Sequence, residues 1–109
     1  MSKMFLHSTD GTTLKLTLVV ERLDSGNAMA FKEEWQNLAS SALLFEKINL
    51  CNIDMGKVSF VDSFGISALL GVYKKCLEVR SKLKLSQVTQ PVGNLIEQLR
   101  LKKVFDIEP

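Results

Sequence analysis

The chain has 109 residues, of which 46% are apolar, 24% charged and 7% aromatic, a composition that fits one folded domain and excludes a disordered or fibrous chain. Fourteen Lys and Arg against twelve Asp and Glu leave a formal charge of +2, too small an excess to make nucleic acid an expected partner. The lone histidine, His7, and two cysteines, Cys51 and Cys76, set in apolar runs, offer no zinc-type ligand cluster, and the thiols read as reduced and buried. Neither a metal nor a cofactor is expected.

The N-terminal residues lack a sustained apolar leader, and no stretch nears the ~18 apolar residues of a membrane span, so the protein is expected to stay in the cytoplasm without inserting in a membrane. No Pro-, Gly- or Ser-rich linker divides the sequence, and residues 1–109 read as one domain.

Between Thr13 and Glu21, Leu14, Leu16, Leu18 and Val20 alternate with polar residues, the period of a strand with one buried face. Met4 to His7 joins it through Ser8-Thr9-Asp10-Gly11, and Asp-Gly at the turn centre predicts an antiparallel hairpin. After Asp24-Ser25-Gly26, which offers cap chemistry, Ala28, Phe31, Trp35, Leu38 and Ala42 recur at helical spacing opposite Lys32, Glu33, Glu34 and Gln36. Trp35 and Phe31 read as core. From Lys47 to Ile53 the nearly continuous apolar run predicts a central strand covered on both faces. A second helix is expected from Asp62 or Ser63 to about Ser81, burying Ile66, Leu69, Leu70, Tyr73, Cys76 and Leu77. Leu83, Leu85 and Val88 mark another strand, and Pro91 opens a last helix carrying Leu95 and Leu99, followed by a terminal segment with Val104. The order ββαβαβα, with room for one more short strand, predicts an α/β fold. Its sheet is mixed and mostly parallel, with an N-terminal hairpin and three to four helices packed on it.

Function in such sheets collects where a strand's carboxyl end meets the next helix, here between Ile53 and Gly65. Within it, Asp62, Ser63, Phe64 and Gly65 stand at a helix mouth. One reading makes Asp62 or Ser63 an N-cap, with Gly65 permitting close packing. The other makes Ser63 a regulated phosphoacceptor, since phosphate there meets the helix dipole and free backbone donors. A partner docking along the helix edge, at Ser63, Phe64, Ile66, Ser67, Gly71 and Lys74, would then meet a dianion beside Asp62. Catalysis is not expected, because no nucleophile and base can be paired. The basic run Arg100, Lys102 and Lys103 reads as solvated helix surface, or as a contact for a partner or anionic lipid.

The run Phe60-Val61-Asp62-Ser63-Phe64-Gly65-Ile66, followed by Leu69-Leu70-Gly71-Val72-Tyr73-Lys74, resembles the signature of the STAS domain of bacterial anti-sigma factor antagonists and sulphate transporters. Glu21-Arg22-Leu23-Asp24 is similar to that family's Gly-x-Leu-Asp segment. The resemblance implies an anti-sigma factor antagonist that binds a serine kinase/anti-sigma factor of the histidine-kinase-like ATPase type when unmodified. Phosphorylation releases it, and a serine phosphatase resets it, so that transcription or a related output is regulated. On that resemblance Asp62 matches the acid and Ser63 the first hydroxyl position, while Phe64 replaces the second. Asp24 either lies beside Asp62 on the surface the kinase reads or caps the first helix. The rival implication is a STAS subunit or scaffold of a membrane transport complex or signalling assembly, with Ser63 only a cap.

Overall fold

The computed structural model describes residues 3–109. The opening period-two pattern folds as the expected hairpin, with β1 (Phe5–Asp10) antiparallel to β2 (Thr13–Leu18). Its turn sits one residue later than the sequence suggested. Asp10 pairs with Thr13, so the connecting residues are Gly11 and Thr12, and Gly11 takes the positive φ of 60°. The remaining elements are β3 (Arg22–Leu23), α1 (Ala28–Ala39), α2 (Ala42–Glu46), β4 (Leu50–Asp54), β5 (Phe60–Val61), α3 (Ser63–Glu78), β6 (Lys82–Ser86), α4 (Gln90–Gln98) and β7 (Asp106–Ile107).

β1, β2, β4, β6 and β7 lie side by side in that order, and every pairing after the hairpin is parallel. β4 is therefore the middle strand, as expected, but it is not covered on both faces. Register aligns Leu14, Cys51 and Leu83, and then Leu16, Ile53 and Leu85, on a buried face. The alternate positions Lys15, Asn52 and Lys84 line the other, which is exposed or half-buried. The apolar run misled because Leu50 and Cys51 point to opposite faces of one strand, and the polar residues after Cys51 fall on the open one.

Helix ends account for the other departures. α1 stops at Ala39 and does not continue through Ala42, because the Ser41 hydroxyl accepts from the Leu44 N–H (3.4 Å) and starts the short α2. Ala42 is exposed. α3 stops at Glu78, short of Ser81. Arg80 turns left-handed (φ 58°), with Ser81 N–H donating to the Cys76 carbonyl (2.8 Å) and Arg80 N–H to that of Leu77 (3.2 Å), the double bond pattern of a Schellman stop. Leu77, expected in the core, is 59% exposed, while Ala68 and Val72 are buried in its stead. α4 ends the same way, with Arg100 at φ 58° and Leu101 N–H on the Ile96 carbonyl (3.0 Å).

The helices close one core with the buried sheet face. Phe31 meets Phe5 edge-on at 5.6 Å, Trp35 meets Phe45 at 5.8 Å, and Phe105, fully buried, meets Tyr73 at 6.4 Å. Cys51 and Cys76 are buried free thiols, as read from the sequence. Apart from the main sheet, β3 and β5 form a parallel ribbon pairing Arg22 with Phe60 and Leu23 with Val61. This ribbon brings the loop after β3 against the start of α3.

Candidate functional site

β5 runs directly into α3, with Asp62 between them in extended conformation. Its carboxylate joins two segments: Oδ1 accepts from the Gly65 N–H at 3.0 Å, and Oδ2 accepts from the Ser25 N–H at 3.1 Å. The first bond is the N-cap foreseen for this position; the second reaches across the chain to the loop following β3. The Gly65 N–H chiefly, opposed by desolvation and aided by the N–H groups of Ser25, Phe64 and Asp62 itself, holds the Asp62 carboxyl below its ordinary range. It is an anion at neutral pH.

Gly65 is required here by space. A Cβ at this position would stand 2.0 Å from the Leu23 carbonyl oxygen and 2.8 Å from Val61 Cγ1. The first turn of α3 thus lies against the backbone of β3, which is how Asp62 and Ser25 come within one hydrogen bond.

Asp24 does not cap α1. The helix begins after Asn27, whose side chain makes no cap bond to it; its Oδ1 accepts from the Asp24 N–H (3.0 Å), while its Nδ2 donates to the Arg22 carbonyl (2.8 Å). Asp24 Oδ1 accepts from the Gly26 N–H (3.0 Å), folding the loop back on itself, and Oδ2 pairs with Arg22 Nε (3.0 Å). Its backbone carbonyl accepts from the Ala28 N–H (2.8 Å) while its carboxylate is used within the loop, so Asp24 stiffens the loop that offers Ser25 to Asp62. The Arg22 guanidinium also lies 4.2 Å from the centre of the Phe60 ring.

Ser63 is the first residue of α3 and exposed. Phe64 is 59% exposed beside it. Ser67, Gly71 and Lys74 are exposed along the same helix. Ile66 is not on this edge: it is 4% exposed, packed in the core with Leu69, so its side chain is withdrawn from the partner surface expected for it. Between α3 and α1 runs a groove of about 420 Å3, bordered by Lys32, Gln36, Ser67, Lys74, Lys75 and Glu78. Three lysines and one glutamate stand among these residues. Lys32 Nζ crosses from α1 to donate to Ser67 Oγ at 3.2 Å.

Sequence reasoning placed Lys32 only on the polar side of a helix, read Ser25 only as part of a stretch with cap chemistry, and gave the Arg22–Phe60 stack no role. All three depend on the β3–β5 ribbon and on helix packing, between residues some 35 apart, which no local spacing encodes. In the basic terminal run, Arg100 closes α4 and Lys102 pairs loosely with Glu97 (3.7 Å) in solvent.

A hydroxyl beside an acid-capped helix start, above a mixed sheet opened by a hairpin, is the architecture of a STAS domain. The family model for that domain matches residues 8–109, and the chain belongs to this family. No curated protein sequence is a significant match. Among solved structures, an anti-sigma factor antagonist from Mycobacterium paratuberculosis superposes with a TM-score of 0.78 at 17% identity, over 96% of this chain and 84% of that one. The Bacillus cell fate determinant SpoIIAA in its phosphorylated form gives 0.65 at 16% identity, over 94% and 89%. The murine anion transporter Slc26a9 gives 0.71 at 21% identity, covering 88% of this chain but 15% of the transporter. These likenesses establish the shared fold. Among the described residues no helix is long and apolar enough to cross a membrane.

Proposed function

We propose that this protein is an anti-sigma factor antagonist of the cytoplasm that works by binding and not by catalysis, with Ser63 as its phosphorylation switch. Unmodified, it engages a serine kinase/anti-sigma factor of the histidine-kinase-like ATPase type; phosphorylated, it lets go, and a serine phosphatase restores it. The observation that carries this reading is the exposed Ser63 at the mouth of a helix whose first turn is locked by Asp62, Ser25 and Gly65. A phosphate adds about 1.5 to 2 negative charges. At a helix start the dipole and backbone donors offset that charge, so the fold tolerates it. The surface does not stay the same. A partner seated on Phe64, Ser67, Gly71 and Lys74, close to the anionic Asp62, meets a bulky dianion at the head of its contact. Asp24 and Gly65 act indirectly, by holding the loop and the helix start in place.

The likeness to a solute-carrier anion transporter supports a second reading, in which the same surface makes a constitutive contact within a transport assembly. Affinity capture from the native cytoplasm, with phosphosites mapped by mass spectrometry, separates the two. The switch requires that wild type and Ser63→Ala retain a kinase-type ATPase, that Ser63→Asp loses it, and that phosphate is found on Ser63. Recovery of transporter subunits with Ser63 unmodified would replace it with the second reading.

A further inference from the structure

Lys32 is the α1 residue whose side chain hydrogen-bonds the Ser63 edge of α3. Its Nζ lies 3.2 Å from Ser67 Oγ, and Ser67 is four residues beyond Ser63 on the same helix. Residues so spaced have Cβ atoms roughly 5–6 Å apart on one face. Helical side chains tilt toward the N-terminus, so Ser67 Oγ is aimed back over the turn that Ser63 begins. The same tilt carries Ser63 Oγ toward the helix mouth, so it is the long flexible stem of Lys32 that brings its ammonium within reach of a phosphoryl group there. Lysine suits such an exchange: its flexible stem carries three donors, and its bond to a neutral hydroxyl is weaker than one to a phosphate dianion. The other charges around the position are the anionic Asp62 at the cap and Asp24 in the adjoining loop, the latter already paired with Arg22. Lys74, eleven residues further along α3, is about 16 Å away along the axis, by the 1.5 Å rise per residue.

We propose that Lys32 is the counter-charge for phosphoserine at position 63: on phosphorylation its ammonium leaves Ser67 Oγ for the phosphate and ties α1 to the modified end of α3. The phosphorylated state is then a cross-braced surface that presents less free charge than a bare dianion, with Ser67 released to solvent. This inference rests on Ser63 as the modified residue, and it goes beyond that reading by assigning the group that receives the phosphate.

The test installs phosphoserine at position 63 by translational incorporation, so that no kinase is needed, and follows the second ionisation of the phosphate by phosphorus NMR. An ammonium in contact favours the dianion. The second pKa in the otherwise native chain should fall at least about half a pH unit below that in Lys32→Gln, with Lys32→Arg close to native and Lys74→Gln without effect. Circular dichroism of each variant confirms the fold. Equal pKa values in the otherwise native chain and in Lys32→Gln would overturn the assignment, as would an equal response to Lys74→Gln. Failure of Ser63 to be phosphorylated in cells would instead sink the proposed switch and leave this titration untouched.

Discussion

Two glycines of the same helix make opposite predictions. In Gly65→Ala the new methyl would be 2.0 Å from the Leu23 carbonyl oxygen and 2.9 Å from its carbon. Both are backbone atoms of the β3–β5 ribbon, so no rotamer change relieves the overlap. Either α3 moves off β3, loosening the Asp62–Ser25 bond, or the ribbon distorts. Overpacking costs about 1–3 kcal/mol where side chains can adjust, and a backbone clash belongs at or above the top of that range. Ala regains up to about 1 kcal/mol of helix preference over Gly. The net loss is about 2 kcal/mol or more, a fall of roughly 8–16 °C in Tm for a domain of this size. Gly71 meets nothing within 4 Å of its ideal Cβ, so Gly71→Ala keeps the propensity gain alone, about 0.5–1 kcal/mol. Thermal and urea unfolding followed by circular dichroism reads both. A Gly65→Ala protein as stable as wild type would refute the close approach of α3 to β3, and with it the geometry of the site.

Three further outcomes are expected. Because the Asp62 carboxyl is held below its ordinary 3.8 by N–H donors, its contribution to stability is complete above that value and is lost as pH falls through it toward the lower folded one. Asp62→Asn should therefore flatten the acid limb of the stability curve below about pH 4, and an unchanged limb would contradict the bonding described. Arg80 and Arg100 hold left-handed conformations at helix ends, so Arg80→Gly and Arg100→Gly should each stabilise the fold by about 0.5–1 kcal/mol in urea titrations; destabilisation by either would count against those Schellman stops. The Cys51 thiol is pushed well above the ordinary thiol range, by its hydrogen bond with Cys76 first and by burial second. Ellman's reagent at pH 8 should leave both thiols unmodified until the protein unfolds, whereas a fast-reacting thiol in the native state would be incompatible with their burial.

Strands β2 and β6 were legible because burial there imposes a period of two, and the α1 and α3 stripes because it imposes 3.6. Boundaries were less so. The register of β1 on β2 puts Asp10 in the ladder and leaves Gly11 to make the turn, a choice that the Asp-Gly pair alone does not determine. The spacing from Trp35 to Ala42 continues smoothly through Ser40 and Ser41, and a cap bond interrupts it. Phe105 entered the core unannounced, since its burial depends on the chain reversal at Arg100. At the site, Asp62, Ser63 and Gly65 announced a helix start through their chemistry. The two-residue strands β3 and β5 are too short to show any period. Yet this ribbon, and the packing of α1 on α3, decide that Ser25 reaches Asp62, that Asp24 braces a loop and that Lys32 reaches Ser67.

The most direct test of the switch is the equilibrium affinity of the purified chain for its captured ATPase partner, with either serine or phosphoserine at position 63. Phosphoserine should weaken binding at least tenfold, equivalent to about 1.4 kcal/mol, with Ser63→Ala binding as wild type does. Equal affinities for the two forms would contradict the assignment of Ser63 as the residue that controls the partner.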